Sequence, residues 1–565
     1  MPQRTDHTTL RQPLIGLWAL IGWTLLATVF CWGLWAHLWE FGRDDWDQHL
    51  FYHAVPYYTI VEYGQFPFWN PYYCGGNVLF ANPQIRFLTP MFAFELLWGP
   101  VAGLRLEIWA HLVVGLLGMH VVATHTHGLR RWPALLPPVV FMLSGVYAFH
   151  LAEGHSHFLP LAYVPWVYFS YHRSLDDLRY LALTAGLIAL MIFEGGIYVT
   201  SHAGLLVGLL GALLSLQRQQ WKPIAVAAAT LVLAPMLAAF KLIPMLDFLT
   251  EVPRRISSAE TVPISLILTA LFSRDQSLSL LLGGQDYGWW EYANYIGVLS
   301  GLLSLIGLLS AWRRQWPLLA VGIVFLELVG GAWAPVAPWT LLHQLPLFDS
   351  YHVPSRFLYV FTFTLSLFAG MGLSRLDNLR RQVRIGGLLV VMVITADLLL
   401  VNSHAFDTAA AGPVSAQERV PSFSHITGTD HQMFAAFLQN KGTLKCYEPV
   451  HYPTRAIPAS APDYRGEVFL TGEGTAQITS WSPNRVVVEV SGAGELTLNQ
   501  NYARGWQTES GQRVYSNRGL VTTMVEAGNR EVTLYYRPPA LIWGMVLSVA
   551  AAIGSVFFVV SRRLL

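Results

Sequence analysis

The stretch Glu40-Phe41-Gly42-Arg43-Asp44-Asp45-Trp46-Asp47-Gln48-His49 holds three aspartates within four positions and a single basic neighbour, Arg43. Carboxylates this close repel one another, and a divalent cation or a bound cationic group would relieve the repulsion. For Asp45 a plainer role competes: Asp45 and Gln48 have the spacing of a capping box, so Asp45 can cap the helix that follows. Capping accounts for one aspartate and leaves two. A second polar cluster, Glu153-Gly154-His155-Ser156-His157, joins a carboxylate to two imidazoles and so offers metal-ligand types, although two His at i and i+2 also arise by chance among 19 histidines. If a cation such as Mg²⁺ or Mn²⁺ is bound, Asp45, Asp47 and His155 are its expected ligands.

The chain that must position these groups has 565 residues, 53% apolar and 12% charged, where a soluble domain carries about 25% charge. Disorder is excluded, and a formal charge of +1 leaves no global basic surface for nucleic acid. Apolar windows of membrane-crossing length predict about twelve helices, near 14–38, 107–124, 132–151, 157–171, 180–193, 196–216, 223–246, 293–311, 316–333, 356–374, 385–402 and 540–560. With a cytoplasmic N-terminus, 16 Arg and Lys fall in inner tails and short inner loops, Arg130-Arg131, Arg313-Arg314 and Arg375 to Arg384 among them. Far fewer fall in the longer outer loops, which is the positive-inside bias, and it splits 180–216 at Glu194. The first apolar run is too long for a cleavable signal and reads as an anchor.

Residues 1–403 are therefore expected to form a transmembrane body with outer loops at 40–105 and 248–292, and 539–565 the last helix and a cytoplasmic tail. Between them, 404–538 is 17% charged against 11% elsewhere, so it reads as a separate extracytoplasmic unit. Period-two alternation in Arg485-Val486-Val487-Val488-Glu489-Val490 and Glu495-Leu496-Thr497-Leu498 predicts a small β-sandwich, capped by an irregular or helical region over 404–470. In the first loop, Leu50, Ala54, Tyr57 or Tyr58 and Val61 suit an amphipathic helix on the membrane, and the Pro, Gly and aromatic residues after Gly64 a shaped loop anchored at headgroup level. The three cysteines allow at most one disulfide, Cys74 with Cys446, and their spacing leaves open whether it forms. The chain has no Asn-x-Ser/Thr sequon, which leans towards a bacterial plasma membrane.

The Asp-x-Asp after the first span, the block Gly64-Gln65-Phe66-Pro67-Phe68-Trp69-Asn70-Pro71 with Gly75-Gly76, and Asn82-Pro83-Gln84 together resemble the YfhO-like family of bacterial integral-membrane glycosyltransferases, within the GT-C superfamily. The likeness continues through Ser144-Gly145, Gly154-His155, Leu345-Pro346-Leu347-Phe348, Val353-Pro354-Ser355-Arg356-Phe357, Asn501-Tyr502-Ala503-Arg504-Gly505-Trp506 and Tyr535-Tyr536-Arg537-Pro538. What the resemblance implies is a GT-C-like fold and transfer of a sugar from a polyprenyl-phosphate carrier to an outer-face glycan, lipid or protein. A first-loop aspartate would be the catalytic base, with Asp47 the favoured match and Asp45 the alternative. A carboxylate can take the proton of a hydroxyl acceptor as the new bond forms, and attack from the far face inverts the sugar.

The leaving phosphate then needs cations at the same depth. Arg356, Lys241, Arg254, Arg255 and Arg86 lie at outer helix ends or in outer loops, Arg356 first among them because it begins a span. Each has a plain alternative as a snorkelling side chain. Asp44, Glu153, His155, His157, Glu194 and Glu291 lie on the same side as further substrate or metal contacts. A transporter or flippase for lipid-linked glycans is the competing reading, although no internal repeat is visible. A noncatalytic envelope-assembly protein is the third.

Overall fold

The computed structural model describes residues 15–564 apart from 43, 378–382, 409, 414–418, 430, 446–451 and 453. Among them six helices are long and apolar enough to cross a membrane: Pro90–Thr126, Trp132–Glu153, Ile197–Arg218, Pro354–Leu376, Gly386–Asp407 and Leu541–Ser561. Lys222–Leu237 and Ala239–Glu251 add a seventh if the pair, bent by 79°, is one span. This falls short of the expected twelve for identifiable reasons. Leu17–Phe30 and Arg179–Phe193 are apolar but short. The windows 293–311 and 316–333 share one helical run, Val298–Val329, broken at Gln315 where Pro317 follows. The window 157–171 opens as a 3-10 helix, Ser156–Tyr163, before Val164–Ser174 continues it.

The basic turns gather at one end of the bundle. Gln217 donates to the Arg314 carbonyl at 2.9 Å, joining the turn after Ile197–Arg218 to the break in Val298–Val329. At the opposite end the first loop meets the C-terminal domain. With the basic end inside, cysteine labelling from outside is expected to reach the exposed positions 62 and 64 and exposed β-domain strands, and to spare position 313. Labelling of the β-domain only after permeabilisation would overturn that orientation.

The strands of the β-domain join in one six-stranded antiparallel hydrogen-bond network whose two halves share a single core. Its two main strands, Val468–Ser482 and Arg485–Asn501, pair along their whole extent. One half of Arg485–Asn501 also pairs with Asn529–Tyr536 and the other with Leu520–Val525. At the junction Gly472 faces Gly494 and Gly474 faces Gly492, all at φ between 125° and 141°, a region that disfavours side chains. The preceding cap is mixed, with the helix Met433–Leu438 between short parallel strands Ser424–Ile426 and Lys441–Thr443.

The aromatic block of the first loop is not a headgroup anchor. Trp69 is fully buried in the β-domain core with Trp506 and Tyr536, and its indole N–H donates to Gln500. A buried Trp in such a place contributes on the order of 3–5 kcal/mol against truncation. Asn484 accepts from the backbone N–H groups of Phe68 and Trp69 at 3.1 and 2.9 Å and donates to the Phe66 carbonyl at 2.7 Å. Asn501 donates to the carbonyls of Cys74 and Gly76 at 2.6 and 3.0 Å. Glu40–Gly42 pairs with Ala410–Pro413. Cys74 is disulfide-bonded, Cys31 is a buried free thiol, and Cys446 lies outside the described residues.

Candidate active site

Asp45 closes the turn before the first-loop helix, Trp46–Val61, after Asp44 at a left-handed φ of 52°. Its side chain makes no capping bond, and Gln48 turns to Tyr52 at 3.0 Å, so the capping box does not form. The Asp45 carboxylate instead meets His155 Nε2 at 2.8 Å, with its side chain 16% exposed. A glycine makes this approach possible. Gly154, at φ 104°, ends the helix Gly145–Glu153, and a Cβ there would sit 2.5 Å from the Trp46 nitrogen and 2.8 Å from the Asp45 carbonyl carbon. The Trp46 indole N–H fixes the same contact by donating to Ala152 O at 2.8 Å.

Behind His155 the polar chain continues. His150 Nδ1 and His155 Nδ1 are 3.1 Å apart, and Glu291 lies within 4.0 Å of both. Because the Asp45 carboxylate only accepts, Nε2 of His155 carries the proton that faces it. Glu291 receives both Nε and a terminal nitrogen of Arg356, whose guanidinium also lies 4.4 Å over the Tyr198 ring. Burial pushes the Asp45 carboxyl up, but the hydrogen bond and charge of His155 outweigh it and hold the group below its ordinary value. Glu291 is likewise lowered, against burial, by the charge and hydrogen bonds of Arg356. Burial, then the neighbouring His155 and His49, keep His157 neutral, and neither of its ring nitrogens has a partner.

Asp45, His155, His157, Glu291 and Arg356 line a cavity of about 300 Å³, together with Glu153 and Arg254. Gln48, His49, Gln84, Tyr198, Tyr287, Trp290 and His352 complete it and were missed in the sequence. His49 ends the acidic block and His352 stands four residues before Arg356, which are the signals available for them. Arg254 and Tyr198 also line a second cavity of about 350 Å³, with Arg255, Leu347 and Tyr351. Leu347 in turn borders an apolar groove of about 970 Å³ walled by Leu205, Leu209, Leu231, Phe325, Leu328 and Leu341. Polar cavity, mixed cavity and apolar groove thus adjoin in sequence. Arg254 stands at the first junction, with a buried Nε that has no partner.

Several expected site residues lie elsewhere. Asp47 accepts from the backbone N–H groups of Met433 and Phe434 at 2.9 and 3.1 Å, so it caps Met433–Leu438 instead of facing the cavity. Burial raises its pKa despite those two bonds. Lys241 is buried with its ammonium on the carbonyls of Ile85, Ile192 and Phe193. Arg86 is buried between Glu107 and the Ser156 carbonyl. Glu194 is buried on His111, Tyr163 and Thr89. Arg255 is exposed and pairs loosely with Asp349 at 3.6 Å, while Asp44 is exposed beside the cavity. The metal set Asp45, Asp47 and His155 is therefore not assembled. Ligand atoms of His150, His155 and Glu291 do lie within 4.8 Å of one another. Two imidazoles and a carboxylate already bound to a guanidinium do not suit Mg²⁺ or Mn²⁺, which take oxygen-rich sets.

No protein-family model and no curated protein sequence matches the chain. Among solved structures it is similar to the arabinofuranosyltransferase AftD from Mycobacteria, at 17% identity over 70% of this chain and 27% of that one, TM-score 0.45. It is similar to ArnT from Cupriavidus metallidurans bound to undecaprenyl phosphate, at 12% identity over 75% and 85%, TM-score 0.44. It is also similar to the archaeal oligosaccharyltransferase AglB from Archaeoglobus fulgidus in complex with an inhibitory peptide and a dolichol-phosphate, at 12% identity over 77% and 61%, TM-score 0.42. The chain spans about a quarter of the length of AftD.

Proposed function

We propose that the chain is an integral-membrane glycosyltransferase of a bacterial plasma membrane, moving a sugar from a polyprenyl-phosphate carrier to a hydroxyl acceptor on the outer face. The observation that carries this reading is the adjoining series of polar cavity, Arg254 junction and apolar groove. A lipid-phosphate sugar has the same order of chemistries: polar head, anionic link, hydrocarbon tail. The groove takes the tail, Arg254 the phosphate, and the cavity the sugar.

In that pose Asp45 is the base. His155 Nε2–H holds the carboxylate in place and keeps it ionised, leaving it to accept the acceptor's proton as the oxygen attacks the sugar carbon. Displacement from the far face inverts that carbon and frees the carrier phosphate against Arg254. Arg356 is a positioning residue, because its guanidinium already neutralises Glu291 beside the two histidines. Reconstituted chain supplied with polyprenyl-phosphate sugars is expected to release the free carrier phosphate. No release with any donor, in vesicles that also contain envelope acceptors, would sink the proposal.

The pH dependence follows from the same contact. A base works when deprotonated, so the lowered Asp45 places the acid limb of kcat/KM below the ordinary carboxylate range. His155→Gln removes the influence that lowers it, and the acid limb is expected to move to higher pH. An unmoved limb in a folded variant would separate His155 from the base.

A further inference from the structure

We propose that His53, Glu95 and Glu107 form a second, fully buried site for a divalent transition-metal ion of the Zn²⁺ kind, which staples the first-loop helix to the transmembrane body. None of the three lines the cavity. All are at most 1% exposed, and one ligand atom from each lies within 4.8 Å of the others. His53 Nδ1 is 2.9 Å from Glu95 Oε1.

Two observations point to a ligand. First, His53 Nε2 is buried without a hydrogen-bond partner, and the buried Glu95 and Glu107 carboxyl groups meet each other, an arrangement of like charges that needs a proton or a cation held between them. Of the nearby cations, Arg86 pairs with Glu107 through Oε1, stands 3.7 Å from Glu194 and donates to Ser156 O, and the Lys241 ammonium lies on backbone carbonyls. Second, the backbone is built to bring the two carboxylates together. Gly99, at φ 76°, breaks Ala93–Val121 ahead of Pro100 and folds the first turns back on the rest. Gly103 receives them, since a Cβ there would lie 2.5 Å from the Glu95 Cα. One imidazole and two carboxylates are ligands that Zn²⁺ takes readily, and they arrive from two helices, Trp46–Val61 and Ala93–Val121.

Full-length chain in nanodiscs, stripped with chelator, reloaded with Zn²⁺ and washed, is expected to retain about one equivalent by elemental analysis. Glu95→Gln and His53→Gln should lose it, and Asp45→Asn with His155→Gln should keep it. Wild-type chain that retains no zinc overturns the proposal, as does zinc that persists in both Glu95→Gln and His53→Gln. A proton shared between Glu95 and Glu107 would then hold the cluster. Should those variants fail to fold, X-ray absorption of the wild-type zinc decides: one imidazole in the shell supports the site, and two or none overturns it. No readout depends on sugar transfer, so this site and the glycosyltransferase proposal stand or fall separately.

Discussion

Asp45→Asn is expected to slow sugar transfer by about two to four orders of magnitude, the range for losing a positioned general base. The change keeps the size of the side chain and a hydrogen-bonding partner for His155, so the 2.8 Å contact and the cavity should survive. What disappears is the negative charge and nearly all proton affinity. Asp47→Asn provides the contrast. Its carboxylate caps Met433–Leu438 through two backbone N–H groups, and Asn caps about as well as Asp. Activity should therefore change little, with a stability loss of at most about 1 kcal/mol. Transfer at the wild-type rate by purified Asp45→Asn, together with a severe loss in Asp47→Asn, would return the base to Asp47.

The second large effect concerns Arg254. If it binds the carrier phosphate as the bond to the sugar breaks, Arg254→Ala should lose about 100- to 1,000-fold in turnover, the scale for removing one preorganised electrostatic contact. Its partly open position and unpaired Nε mean that the variant leaves no buried carboxylate stranded, so folding should be intact. Arg254→Lys keeps the charge but not the two-pronged geometry and should fall between. Arg356→Ala differs in kind. It strands Glu291 in a buried site, and the cost of about 3–5 kcal/mol should appear as lost stability before any kinetic effect can be read. Unchanged turnover in Arg254→Ala across donor concentrations would remove Arg254 from the phosphate site.

That Asp45 and not Asp47 faces the cavity shows what spacing can reveal. The acidic block was legible because three carboxylates in four positions are rare in a chain so poor in charge. Which one faces the cavity was not, because the partners that decide it are remote. Asp47 is settled by backbone groups 386 and 387 residues away, and Asp45 by a histidine 110 away. Local spacing favoured a capping box at Asp45 because Asp45 and Gln48 fit one, yet Gln48 turns to Tyr52. The cations divide in the same way. Charge counting gives only the side of the membrane expected for them, and Lys241 and Arg86 are buried on backbone carbonyls and carboxylates that the packed bundle supplies. The long strands of the β-domain were visible as alternation, whereas the order in which they pair joins segments that alternation does not relate.

The clamp on the first loop also sets the order in which the protein can mature. The loop leaves the ribosome early, but Asn484, Gln500 and Asn501, which hold its backbone and Trp69, are made more than 400 residues later. At ordinary rates of synthesis that interval is roughly 20 to 80 s, during which the loop waits without its partners. Contacts this distant in the chain are also slow to form once both ends exist. The first loop, and with it the Asp45 wall of the cavity, is thus among the last parts to reach its final shape, and a nascent chain still lacking its C-terminal domain holds that cavity unfinished.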